Sequence, residues 1–248
     1  MALIRPANDA VASSYAQAGR KEREGLHEMQ YLNFILDPKN NFSGKTIEYF
    51  KLCSLSIAVA IVIGVVLGAL VSRNAILAFI AVNLSGLMRA IPIIAVLLIF
   101  VPFLGLGFLP AIIALIVLGI PPILLNTYTG IRGIDPAMIE AGKGMGMTTW
   151  QIATRIQAPL VTPLVAAGIR TSAVQIIATA TLAAFIGAGG YGDYIVDGFN
   201  VFNYTELIVG AVSVAILAMV VEVFMSWLQR VLTPEGLKVQ EQAAVANA

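Results

Sequence analysis

The stretch "DPAMIEAGKGMGMTTWQIATRIQAPL", Asp135 to Leu160, is a polar interruption in an otherwise apolar sequence, and its reading decides how the rest of the chain is arranged. Asp135 is placed to cap a helix N-terminus, and Pro136 suits the first helical position, where no backbone donor is needed. The run from Gly144 to Gly146 stops that helix. Thr148, followed three residues later by Gln151, has the form of a capping box and opens a second helix, and Pro159 marks the turn into the next apolar run. The segment therefore reads as two short helices with a glycine turn between them, lying outside the bilayer.

Composition explains why a bilayer is invoked. The 248 residues are 58% hydrophobic and only 12% charged, with a mean hydropathy of +0.87, far too apolar for a soluble globular domain. A polytopic, all-α membrane protein is the expected fold class. The formal net charge of +1 and the lack of a basic stripe with interleaved aromatics argue against a nucleic-acid partner. The one cysteine, Cys53, permits no intramolecular disulfide.

Outward from the central segment, the apolar runs place five spans. The first is the uncharged run Leu52–Val71, about 30 Å long at roughly 1.5 Å per residue, the thickness of the hydrocarbon core. The run from Ala90 to Ile131 is broken by Pro102, Gly105, Gly107 and Pro110 and must contain a turn. Its first part, ending at Val101, reaches only about 18 Å, so the second span begins near Ile76 and takes Arg89 into the membrane. The third runs from about Leu109 to Tyr128. The fourth, from Leu160 to just before Gly187, encloses Arg170, and the fifth, from about Tyr204 to Arg230, encloses Glu222.

Residues 1–28 are expected to be a disordered extension, and residues 29–51 an extracytoplasmic interfacial segment. In the latter, Met29, Leu32, Ile35 and Leu36 have the spacing of a short surface helix. Residues 233–248 form a tail. Short-loop cations set the orientation: Arg73, Arg132, Lys143, Arg155, Arg230 and Lys238 share one side, which positive-inside places in the cytoplasm with the Asp135–Pro159 segment and the C-terminus. The N-terminus is then outside. Lys39, Lys45 and Lys51 oppose this assignment.

Several residues invite function. Arg89, Arg170 and Glu222 cost on the order of 2.5–3.5 kcal/mol each inside hydrocarbon, so they should face the bundle interior and be paired. Arg170 and Glu222 fall at similar depth, and a pair between them, either a structural brace or part of a path, is expected. Pro92, and Pro121 with Pro122, should kink the second and third helices, with freed carbonyls lining a cavity or merely accommodating packing. Asn126 and Thr127 are placed to hydrogen-bond across helices or to form a gate. "GAGGYGD", with Gly187, Gly189, Gly190 and Gly192, reads as a flexible or close-packed external turn contacting an external partner. His27 stands without ligand-spaced Cys, Asp or Glu, so no metal site is expected, and no Ser or Thr is paired with a base for nucleophilic catalysis. No Gly-x-x-x-x-Gly-Lys-Ser/Thr loop occurs. Transport driven by ATP would thus need a separate ATPase chain.

The central segment resembles the EAA loop of binding-protein-dependent ABC importer permeases: Glu-Ala-Ala, three residues, Gly, nine residues, Ile, one residue, Leu-Pro. Glu140, Ala141, Gly146, Ile156 and Pro159 match at that spacing, while Gly142 stands where Ala is usual and Ala158 where Leu is common. "RAIPIIAVL", "NTYTGIRGIDPAMIEAGKGMGMT" and "AGIRTSAVQIIATATLAAFIGAGGYGD" are similar to the osmoprotectant branch of these permeases, over roughly residues 45–232. The resemblance implies a type I permease fold with its permease domain over residues 52–232 and a coupling loop at 135–159. It implies no enzyme activity and no cofactor of the chain's own, since ATP is bound by the partner. The implied partners are cytoplasmic ATPase subunits docking at Glu140, an extracytoplasmic or lipid-anchored solute-binding protein, a second permease copy or paralogue, and bilayer lipid. The implied solutes are glycine betaine, choline and carnitine, with an amino acid or other small solute as the alternative. A self-contained secondary transporter or channel, or a membrane enzyme, are the other classes. Five spans divide poorly into repeats, and no catalytic constellation is visible.

Overall fold

The computed structural model describes residues 29–233, which are helical with no strand among them. The expectations for residues 1–28, His27 included, and for the tail beyond Thr233, Lys238 included, lie outside the described residues. The elements in order are α1 (29–36), α2 (Phe42–Val71), α3 (Ala75–Ala90), α4 (Ile93–Leu104), α5 (Phe108–Arg132), α6 (Pro136–Gly144), α7 (Thr149–Ile152), α8 (Ala158–Ala180), α9 (Tyr191–Asn200) and α10 (Tyr204–Leu232). Four helices are long and apolar enough to cross a membrane, and the count is five where the α3–α4 pair, bent by 94°, is taken together as one broken span.

The bundle is built on α5, with α2 and α8 packed against it. The α2 side of this contact is a stripe of small residues at every fourth position, Ser56, Ala60, Gly64 and Gly68, all buried. A Cβ added at Gly64 would lie 2.8 Å from Cβ of Ile123, and one at Gly68 only 2.8 Å from the Leu124 carbonyl oxygen. Between membrane helices no hydrophobic driving force acts, so close backbone approach supplies the contact. On the other flank, a Cβ at Gly119 would meet Ser172 Oγ at 2.8 Å and Ala60 Cβ at 3.0 Å, so α2, α5 and α8 converge there. Ser172 donates to the Gly119 carbonyl at 2.8 Å across the α5–α8 contact.

The first membrane helix starts ten residues before the expected Leu52, since α2 begins at Phe42. Its charged first turns, which look like loop, are held by partners remote in sequence. Lys45 makes an ion pair with Asp193 of α9 and lies 3.7 Å from Glu48. Only residues 29–41 remain as a separate segment: α1, a single turn at Pro38–Asn40 capped by Asp37, and Asn41 in the left-handed region.

The second span departs more strongly. Pro92 does not kink one helix but separates two whose axes differ by 94°, with Ile91 and Pro92 both extended. By contrast, Pro121 and Pro122 lie inside an uninterrupted α5 and are fully buried. Surrounded by α2 and α8, the helix has no room to bend, whereas α3 and α4 have few neighbours and the same residue type breaks them.

At the end of the bundle remote from α6 and α7, the segment expected to be a plain loop contains α9. Gly187 ends the helical run before it in the left-handed conformation, at φ 73°, with Ala188 N–H donating to the Ala183 carbonyl and Gly187 N–H to Ala184. Gly189 and Gly190 also have positive φ, but Gly192 lies within α9 and not in the turn. The turn packs on α2: a Cβ at Gly190 would meet Tyr49 Cδ2 at 2.7 Å, and its N–H donates to Glu48 at 3.3 Å. Tyr191 donates to Thr46 at 2.9 Å, Tyr194 to the Asn40 carbonyl at 2.6 Å, and Tyr49 to the Ile177 carbonyl. Burial, reinforced by Glu206 and Tyr191 nearby, pushes the Tyr194 phenol up to about 12, so it remains a donor at neutral pH.

Candidate functional site

The two helices read from the sequence are present and capped as expected. Asp135 accepts from Ala137 N–H at 2.9 Å at the start of α6. Its C-terminus closes as a Schellman turn, with Met147 N–H donating to the Gly142 carbonyl at 3.1 Å and Gly146 N–H to Lys143 at 2.9 Å. Gly146 takes the left-handed position at φ 75°. Thr148 and Gln151 then make the full capping box of α7, at 2.8 and 3.3 Å.

Pro159 does not turn the chain. Thr149 to Ile186 forms one continuous helical rod, in which α7 joins α8 through a π-helical segment at Ala153–Gln157. Proline lacks an N–H and crowds the carbonyl four residues back, and a wider turn just before it absorbs both without a break. A displacement of α7 is therefore carried directly into a membrane span.

The matched loop residues divide by role. Glu140, Ala141, Gly146 and Pro159 are exposed, whereas Gly142 is buried and Ile156 half-buried. A Cβ at Gly142 would meet Ile156 Cδ1 at 2.8 Å, so the glycine at this position is where the π segment rests its isoleucine on α6. Sequence reading missed the exposed apolar residues of this elbow: Met145 is 73% and Trp150 77% exposed, and Met138 is exposed as well. Large apolar residues in a polar stretch, without a helical core face to occupy, were the available signal.

Of the intramembrane charges, the structure brings Arg170 and Glu222 together, with Nε and Oε1 3.7 Å apart and both side chains half-buried between α8 and α10. Gln229 adds a second tie, donating to the Pro163 carbonyl at 3.4 Å. Arg89 behaves otherwise: it is exposed at the α3–α4 break and has no ion-pair partner among the described residues. Asn126 and Thr127 do not bridge helices; each donates to a carbonyl of its own helix, Pro122 and Ile123, both at 2.8 Å. With Gly168 pressed so close that a Cβ there would meet Asn126 Cβ at 2.8 Å, the Asn126 amide is folded back on α5.

Beside the elbow lies a cavity of about 960 Å³, walled by α2, α5 and α8 and reaching α6, with Arg73, Arg132, Glu140 and Lys143 among the residues lining it. No group of His, Cys, Asp and Glu that could hold a metal occurs among the described residues.

A capped helix–turn–helix inserted ahead of α8 in a bundle of membrane-spanning helices has the architecture of a membrane permease component. The chain belongs to the family described as "Binding-protein-dependent transport system inner membrane component", which matches residues 60–235. It is 38% identical over 209 residues to the glycine betaine/carnitine/choline transport system permease protein OpuCB of Bacillus subtilis, covering 84% of this chain and 96% of the relative. It is 35% identical over 215 residues to the osmoprotectant import permease protein OsmW of Salmonella typhimurium, covering 85% of this chain and all of the relative. Among solved structures, a chain of the MetNI methionine ABC transporter in inward-facing conformations superposes with a TM-score of 0.71 at 24% identity, over 78% of this chain and 96% of that one. That likeness establishes the type I permease fold. Family membership makes the chain a membrane component of a binding-protein-dependent transport system.

Proposed function

We propose that this chain is the membrane-spanning subunit of an ATP-driven importer of quaternary ammonium solutes such as glycine betaine, choline and carnitine. A separate ATPase docks on the α6–α7 elbow from the cytoplasm. The observation that carries the reading is the continuity of the elbow with α8. The exposed Met138, Met145 and Trp150, with Glu140, offer a contact surface, and the π-helical joint makes that surface one piece with a span. Solute class is supported by the printed functions of the relatives. On this reading α1, α9 and the glycine turn face a solute-binding protein outside, and the exposed α3–α4 pair, with Ile76 and Phe79 more than 70% exposed, meets a second permease chain. The chain needs no cofactor of its own.

Two experiments test this. Co-reconstituted with its ATPase and binding protein, the Glu140→Ala variant should retain ATP hydrolysis while solute uptake falls by about tenfold or more, as expected when an interaction worth about 1.4 kcal/mol in the coupled step is lost. Uptake at the wild-type level would overturn the docking role. In a Cys53→Ala background, Met145→Cys should react with a membrane-impermeant thiol reagent only after the cytoplasmic face is opened. Labelling from outside intact cells would reverse the orientation.

A further inference from the structure

The cavity beside the elbow has a chemistry that ATPase docking does not use. Its deeper wall is Val65 and Ala69 of α2 and Val161, Val165 and Ile169 of α8. Thr149 of α7 and Gln157 of the π segment line its elbow end, and the other lining hydroxyls are committed: Ser72 donates to the Ala69 carbonyl, Thr127 to Ile123 and Thr162 to Ala158, at 2.7–2.8 Å. The interior therefore has no free side-chain donor among these for a soluble, polar guest. Its mouth is different. Arg73, Arg132 and Lys143 stand there against one carboxylate, Glu140, and none of the four makes an ion pair among the described residues.

The position of the cleft says what such an amphipathic space would meet. Helices α2 and α8 converge at Ala60 and Ser172, both against Gly119, and the cleft opens between them toward the elbow. The outer face of α2, beside the cleft, is apolar and exposed, with Val62, Val66 and Leu70 each more than half exposed, as a face toward lipid would be. A site open to the bilayer, basic at the membrane surface and apolar below it, is complementary to an anionic amphiphile.

We propose that this cleft binds one acidic phospholipid of the cytoplasmic leaflet, its phosphate at Arg73, Arg132 and Lys143 and an acyl chain between α2 and α8. The assignment rests on the cytoplasmic placement of the elbow proposed above. Because Glu140 and Lys143 belong to α6, the headgroup lies against the helix on which the ATPase docks.

The test uses the purified full-length permease in detergent, exposed to equimolar phosphatidylglycerol and phosphatidylcholine with identical acyl chains, with retained lipid counted by native mass spectrometry. Each cation facing an anionic lipid contributes roughly fivefold. With three cations against the one carboxylate, the wild-type chain should retain one phosphatidylglycerol with a preference on the order of 25-fold, and the Arg73→Gln/Arg132→Gln variant, losing both fivefold factors, should bring the two lipids to about parity. A Lys39→Gln/Lys51→Gln variant, altered at the opposite end, should keep it. If the arginine double variant does not fold, Lys143→Gln on the exposed side of α6 should still reduce the preference by about fivefold. Equal retention of the two lipids by the wild-type chain, an undiminished preference in the arginine and lysine variants, or displacement of the lipid by millimolar inorganic phosphate would each overturn the proposal. The readout needs neither ATP nor ATPase, so a failure of elbow docking leaves it unchanged, and its own failure leaves the Glu140→Ala result standing.

Discussion

Replacing Gly68 by alanine tests whether close backbone approach holds α2 on α5. The added methyl would stand 2.6 Å from Thr127 Cβ and 2.8 Å from the Leu124 carbonyl oxygen. Thr127 Cβ and the Leu124 carbonyl both move only with the backbone of α5, which is fixed on its other flank by Ser172, so the helices must separate by roughly half an ångström. Overpacking of this kind costs about 1–3 kcal/mol. At a few degrees per kcal/mol for a chain of this size, the apparent melting midpoint of the purified protein should fall by about 3–10 °C. Tryptophan fluorescence in detergent, at one heating rate, measures it. Gly86→Ala on α3 is the matched control, because a Cβ there meets nothing within 4 Å. It gains helix propensity of up to about 1 kcal/mol and should leave the midpoint unchanged or higher. Equal midpoints for Gly68→Ala and wild type would refute the close-packed seam.

Three further outcomes follow from other contacts. Reversing either Arg170 or Glu222 alone should lower the yield of folded protein in the membrane, and the Arg170→Glu/Glu222→Arg double reversal should restore most of it, because the cost is that of an unpaired intramembrane charge; a double variant as poor as the singles would remove the pair. Thr148→Ala deletes the capping box and about 1 kcal/mol from α7, so hydrogen exchange should quicken at Thr149–Ile152 and not in α6, and ATPase affinity should drop. Phe202 is exposed and left-handed at φ 56°, the position after α9 where glycine is favoured, so Phe202→Gly should relieve about 1 kcal/mol and raise the midpoint by about 2–4 °C.

What was legible in the sequence was what depends on neighbours along the chain. Asp135, Gly146 and the Thr148–Gln151 pair satisfy backbone groups within a few residues, and the spans follow from run length, so both could be read without a fold. Where a distant partner decides, reading stopped. Lys45, Glu48 and Lys51 look like an interfacial loop until Asp193 and Gly190 are brought beside the first two of them, and the same contacts turn a glycine-rich external loop into the start of α9. The prolines show the limit most sharply. Pro92, Pro121, Pro122 and Pro159 remove the same donor, yet one gives a right-angle break, two sit in a straight helix and one is absorbed by a π turn, according to what packs around each. The stripe Ser56, Ala60, Gly64, Gly68 had a readable spacing of four, but nothing local named its partner.

The distribution of these contacts determines what an external push on the elbow would move. Helix α8, continuous with α7, is tied to α5 through Ser172, to α10 through Arg170 and Gln229, and to α2 through the Tyr49 hydroxyl on Ile177. Displacing α7 must carry α2, α5 and α10 with it, because each tie crosses a close-packed contact that resists sliding. The α3–α4 pair shares few of these ties and is already broken at Pro92, with Arg89, which has no ion-pair partner among the described residues, at the break and apolar side chains exposed on both arms. Relative motion therefore concentrates between a stiff four-helix block and this bent pair. A chain that needs one place to yield while the rest moves as a unit would carry its helix-breaking proline there, and would hold Pro121 and Pro122 where the surrounding helices prevent them from acting.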